Sequence, residues 1–244
     1  MQPANIKNKP LIIGFIIITS IFFPLFPELS KAEHFLFENG LELSIIKDNK
    51  NPLASIHLEI CSGYTDTEKN EAGLIEISQN LFWNYDKKAS EKEKAIGISN
   101  TQAKVLANKT EFSASFPAHS LKAVLDLLQE RIENRVFSQE SLAQIIAEYK
   151  ASQKALVLSP YGLIHGTIIQ ELYPENPWAQ TPEMHYFYFT DKKIESFALS
   201  LKKFKEKYYQ AKNIRIEIQS PYENEIVLAI AKNHLENWEN KAAK

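Results

Sequence analysis

The apolar residues of this chain change their period in a fixed order, and that order limits the folds open to it. Phe35 to Ile46 and Leu53 to Ile60 read as strands, with Asn39-Gly40 as a turn inside the first stretch. Ala72 to Tyr85 switches to helical spacing through Leu74, Ile75, Ile77, Ser78, Leu81 and Phe82. Residues 87–96 are charged and fit a solvated loop or short helix. Thr101–Leu106 and Thr110–Phe116 return to strand character, joined near Asn108-Lys109. Leu121, Val124, Leu125, Leu128 and Ile132 then mark a helix, and Ser138 caps another through Leu142, Ile145 and Ile146. A further helix covers 161–172, and Asp191 caps a basic helix running to Tyr209. Asn213–Gln219 is a strand and Tyr222–Trp238 a closing helix. Strands, helix, strands, helices, strand, helix: this order predicts one α+β domain over 33–240, a mostly antiparallel sheet packed against helices.

Residues 1–32 precede that pattern. Lys7 and Lys9 stand without an acid, Leu11 to Phe23 is almost wholly apolar, and Ser30-Lys31-Ala32 supplies small residues. This is the layout of a secretory signal peptide cleaved after Ala32. An uncleaved membrane anchor is the other reading. A spanning helix needs about 20 apolar residues, and this run is shorter and followed by Pro24 and Pro27. The length favours cleavage. In either case the folded part is expected outside the cytoplasm, periplasmic or secreted.

Composition removes several function classes. The net charge of −2 favours neither nucleic acid nor an anionic membrane as partner, so any membrane contact rests on an uncleaved N-terminus. Seven glycines form no phosphate-cradling loop. Cys61 is the single cysteine, cannot form an internal disulfide, and sits in an alternating strand as a small core residue. Of the six histidines (His34, His57, His119, His165, His185 and His234), no two lie three to five apart, so no helical zinc pair is present. No Gly-x-Ser-x-Gly elbow supports serine hydrolysis.

Several local motifs, in order, are similar to one half-molecule of the pitrilysin/insulinase peptidase family, which includes the mitochondrial processing peptidases. They are Glu38-Asn39-Gly40-Leu41, then Cys61-Ser62-Gly63-Tyr64 with Asp66, then Gly73-Leu74 opening a helix. Val136-Phe137-Ser138-Gln139-Glu140, Tyr173-Pro174-Glu175-Asn176-Pro177-Trp178 and Phe204-Lys205-Glu206-Lys207-Tyr208-Tyr209 with Asn213 follow. The resemblance covers about residues 34–238 and implies a single N-terminal-like half-domain.

The resemblance also implies where zinc chemistry would lie. Active members carry His-x-x-Glu-His on the helix after Gly-Leu: two histidines one turn apart bind the metal, and the glutamate takes a proton from its water. Here Glu76 and Asn80 stand at the histidine positions and Gln79 at the general base. A glutamine amide accepts no proton near neutral pH, and Asn is a poor zinc ligand beside imidazole. Glu148 matches the family's distant third ligand, with an exposed helix acid as the alternative reading. No catalytic residue and no metal site are therefore assigned; zinc, the family's cofactor, is not supported by these residues.

The family also binds extended peptide by strand addition beside the zinc helix. The matching stretch is Asn100, Thr101, Gln102, Ala103, Lys104 and Val105, and a proline at Lys104 is the expected way to remove an edge donor. The implied function is that of an exported, non-catalytic homologue partnering an active pitrilysin/insulinase-type peptidase subunit. A stand-alone envelope peptide-binding module and a zinc endopeptidase are the alternatives.

Overall fold

The computed structural model describes residues 32–68, 71, 73–83, 87–133, 139–174 and 194–238. The expected signal peptide, the Ser138 and Asp191 caps and the loop from Glu175 onward lie outside the described residues.

Six strands form one sheet: β1 (Glu33–Leu36), β2 (Glu42–Lys47), β3 (Leu53–Ile60), β4 (Ser99–Val105), β5 (Thr110–Pro117) and β6 (Ile214–Ser220). Their order across the sheet is β1-β2-β6-β3-β5-β4. β2 and β6 are parallel, and the other pairings are antiparallel, so the sheet is mixed but mostly antiparallel, as the element order implies. Period-two alternation does the sorting. Ala54, Ile56, Leu58 and Ile60 of β3, Phe112, Ala114 and Phe116 of β5, and Ile214, Ile216 and Ile218 of β6 all point to one buried face. Ser55, His57 and Glu59 alternate with them on the opposite face, which is polar and half-exposed.

Helices cover the apolar face. They are α1 (Leu74–Trp83), α2 (Lys87–Ile96), α3 (Leu121–Glu133), α4 (Gln139–Val157), α5 (Pro160–Leu172), α6 (Ile194–Tyr208) and α7 (Asn224–Leu235). Residues 87–96, charged enough to pass for a loop, are helical. Two ion pairs tie this stretch to α3, Lys92 with Glu130 and Glu93 with Arg131 at 3.1 Å. α5 begins as its sequence requires: Ser159 Oγ accepts from the Gly162 N–H at 3.0 Å, and Pro160 follows it.

Asn39-Gly40 is more than a turn. Gly40 takes φ of +85°, which glycine adopts without penalty. Asn39 Nδ2 donates to the carbonyls of Leu235 at 2.7 Å and Trp238 at 3.1 Å. The side chain thus satisfies carbonyls left open where α7 ends and fastens the first hairpin to the last helix.

Candidate functional site

α1 and the neighbouring sheet edge form the candidate site. The helix follows Gly73, whose φ is +80°, and buries Leu74, Ile75, Ile77, Leu81 and Phe82. Three contacts hold its position. The Phe82 ring stacks on Phe112 of β5, with centroids 3.9 Å apart. Trp83 Nε1 donates to the Gln102 carbonyl of β4 at 3.0 Å. Ser78 Oγ donates to the Tyr209 hydroxyl at 2.7 Å, inside the core. Burial pushes the Tyr209 phenol well above its ordinary pKa, so it stays protonated.

The residues at the family's metal positions are spread over different environments. Glu76 is buried, 6% exposed, against Tyr149 of α4. Burial first, and then the Glu76 carboxyl beside it, raise the Tyr149 phenol far above its usual range. Gln79 and Asn80 are half-exposed on the next turn. Glu148 is exposed and accepts a hydrogen bond from Gln144 Nε2 at 2.8 Å, one turn away on its own helix. The side chain that α4 turns toward Glu76 is Tyr149. Sequence spacing carried this signal: Leu142, Ile145, Ile146 and Tyr149 share the inward face of α4, and Glu148 falls outside it. One buried carboxyl, two amides and a phenol are a poor donor set for zinc, which prefers imidazole and thiolate.

Among the described residues β4 is the edge of the sheet, and Asn100, Thr101, Gln102 and Lys104 are exposed along it. Its register corrects the placement of the edge donors. Leu106 N–H donates to Lys109 O at 2.8 Å, and Lys104 pairs with Glu111. Hydrogen-bonded and open pairs alternate in an antiparallel ladder. Lys104 therefore turns its N–H toward β5, and Ala103 and Val105 turn theirs to the open edge. A proline at Lys104 breaks the ladder instead of removing an edge donor. Asn100, at φ of +49°, lies in the irregular stretch between Ser99 and Gln102, where the register with β5 shifts.

A cleft of about 470 Å³ opens beside this edge, lined by His57, Gln102, Ala103, Lys104, Glu111 and Ser113. Glu111, one of its lining residues, joins a cross-strand ion-pair network. Lys109 Nζ sits 2.6 Å from Glu59 and 2.7 Å from Glu111, and Arg215 reaches Glu59 at 3.1 Å and Glu42 at 3.0 Å. Burial alone would raise Glu59, but the hydrogen bonds from Lys109 and Arg215 outweigh it and hold the carboxyl below its usual range. His57, Glu59 and Glu111 have ligand atoms within 4.8 Å of one another. Lys109 already bridges the two carboxylates, so a cation there would have to displace an ammonium group.

A half-domain built of one mixed sheet and one helical layer, with an edge strand beside a Gly-Leu helix, is the pitrilysin/insulinase-type fold that the sequence motifs imply. Comparison with known proteins supports this. The chain is 24% identical over 223 residues to the zinc protease PqqE of Helicobacter pylori, covering 87% of this chain and 48% of that protein. The crystal structure of a protease from Helicobacter pylori superposes with a TM-score of 0.77 at 18% identity, over 88% of this chain and 52% of that one. The periplasmic protease PqqL from Escherichia coli superposes with a TM-score of 0.74 at 16% identity, over 89% of this chain and 25% of that one. The first half of PqqL alone gives 0.73 at 16% identity, over 87% of this chain and 47% of that one. No protein-family model matches the chain. The chain spans about half the length of the curated relative it matches. Among the described residues, no helix is long and apolar enough to cross a membrane.

Proposed function

We propose that the chain is an exported, non-catalytic homologue of a zinc peptidase, acting as a partner subunit that completes the chamber of an active family member. The observation that carries this reading is α1, which keeps its apolar face and its anchorage to the sheet but presents Glu76, Gln79 and Asn80 where zinc chemistry needs His-x-x-Glu-His. Gln79 cannot take a proton from water, and Glu76 is turned into the core against Tyr149. The residues present do not fit a zinc ion, and no hydrolytic step is derived through one. The half-length match supports pairing with a further half. Export is supported by the N-terminal layout and by the periplasmic relative.

Metal analysis and copurification from the native cell test this together. The purified chain should contain well under one zinc per molecule and should copurify with an exported peptidase bearing the intact motif. Stoichiometric zinc, with peptide cleavage that disappears in Glu148→Gln, would overturn the reading.

A second reading, an envelope peptide-binding module, is favoured by the open β4 edge and the cleft beside it. Backbone groups on a free edge pair with an extended chain without any metal. Ala103→Pro removes one edge donor and leaves the Lys104–Glu111 rung in place. It should weaken binding of an extended peptide, measured by calorimetry, by about tenfold, the value of one hydrogen bond. Unchanged affinity would remove β4 from consideration.

A further inference from the structure

α5 is built inside out. Among the described residues of the helix, its two glycines, Gly162 and Gly166, are the buried ones. A Cβ on Gly162 would lie 2.0 Å from the Leu156 carbonyl oxygen, so the start of α5 lies hard against the end of α4. The large apolar side chains face the other way. Tyr161, Ile164, Ile168 and Leu172 are 64%, 62%, 48% and 64% exposed. Their spacing of three, four and four residues aligns them in one stripe. Leu158 and Tyr173 extend the exposed surface at the two ends of the helix. An ordinary surface helix shows the opposite pattern, with its apolar stripe against the core.

We infer that this stripe is a self-association surface, on which a second copy of the chain seats its own α5. Area is the first argument. Full burial of an aliphatic side chain removes about 100 Å² from water, so the exposed parts of these residues amount to about 400 Å². That is the size of the largest apolar patch on an ordinary monomer, about 300–600 Å², and such patches are often functional. Doubled over two copies, in an interface about 60% apolar, it corresponds to about 1,300 Å² in total. A standard stable interface buries about 1,200–2,000 Å², so the two stripes together with the polar surface around them reach the lower end of that range. Charge is the second argument. The helix Pro160–Leu172 carries a single acid, Glu171, and no lysine or arginine, so two copies meet without like-charge repulsion along the stripe. The geometry suits a two-fold contact in which antiparallel α5 helices cross near their midpoints, each residue facing its symmetry equivalent or a near neighbour.

This surface is separate from the β4 edge, so the inference stands whether or not a peptidase partner exists. Sedimentation of the full chain at micromolar concentrations tests it. The unaltered chain should be a dimer, and the double variant Ile164→Lys, Ile168→Lys should weaken that dimer by about thirtyfold or more. Both positions are exposed, so the thermal unfolding midpoint of the dissociated variant should match that of diluted, dissociated wild type. Under mild oxidation Ile168→Cys should form a cross-copy disulfide, whereas Leu199→Cys, an exposed position on α6, and the unaltered chain with its own Cys61 should not. A monomeric wild-type chain overturns the inference. So does a dimer unaffected by the two lysines, or a disulfide formed equally well at position 199. The peptidase-partner reading is scored by copurification and is untouched by any of these results.

Discussion

Phe112→Ala should lower the thermal unfolding midpoint by about 10 °C, whereas Gln79→Ala, on the helix that packs against Phe112, should leave it nearly unchanged. Phe112 is 1% exposed in the centre of β5, and its ring lies 3.9 Å from Phe82 of α1. Phe82 in turn meets Trp83 edge-on at 5.0 Å. Removing the Phe112 ring opens a cavity that the sheet backbone cannot close, because β5 is hydrogen-bonded on both sides, to β3 and β4. Buried Phe→Ala changes cost about 3–5 kcal/mol, and in a domain of this size each kcal/mol moves the midpoint by about 2–4 °C. Gln79 is half-exposed, and alanine has the higher helix propensity, so that change should stay within about 0.5 kcal/mol. The contrast separates the two faces of α1: the buried one holds the fold, and the half-exposed one adds little to its stability. A Gln79→Ala cost comparable to that of Phe112→Ala, read by urea unfolding, would show that the altered polar face has acquired a structural role.

The sheet was largely legible in the sequence because its strands alternate cleanly. β3, β5 and β6 each place an apolar residue at every second position. The parallel pairing of β2 with β6 was not, since it brings a strand from the end of the chain between two from its start. Local pattern holds no information on that return. At the candidate site, the absence of histidine from α1 was readable from residue identity alone. The inward place of Tyr149 follows from the same spacing as Leu142, Ile145 and Ile146, one residue beyond Glu148. The direction of the Lys104 N–H was not readable: it depends on which rung of the β4–β5 ladder is hydrogen-bonded, and that parity is set by the turn at Leu106–Lys109. The facing of α5 was not legible either, for a physical reason. Periodicity locates an apolar stripe, but only tertiary packing decides whether the stripe or the glycine seam faces the core.

Gly63→Ala should be nearly as damaging as the loss of a core ring, although it adds only one methyl group, at a buried turn. The reason is space and not conformation, since φ at Gly63 is −134°, an ordinary extended value. A Cβ there would lie 2.4 Å from both the Leu106 and Ala107 carbonyl oxygens. These are the oxygens that dock the β4–β5 turn: Tyr64 N–H donates to Leu106 O at 3.0 Å, and Thr65 N–H and Oγ1 both donate to Ala107 O at 2.8 Å. Asp66 closes the same loop by accepting from the Gly63 N–H at 2.8 Å. Backbone lines both sides of the contact, so no side-chain rotation can relieve it, and the two turns must separate. Overpacking of this kind costs about 3 kcal/mol. Gly97→Ala makes the useful comparison: its φ of +85° disfavours alanine, but its nearest contacts are the ring carbons of Pro117 at 3.0 and 3.1 Å. That change should cost about 1–2 kcal/mol. Hydrogen exchange should locate the Gly63 damage, with protection lost at Tyr64, Thr65 and Leu106 before the centre of β5. Because the same turn fixes the free end of β4, extended-peptide binding at that edge should fall in Gly63→Ala even under conditions where the fold persists. Retained protection at Tyr64 and Thr65 would show that the two turns move apart without cost, and that the edge strand is positioned by α1 through Trp83 alone.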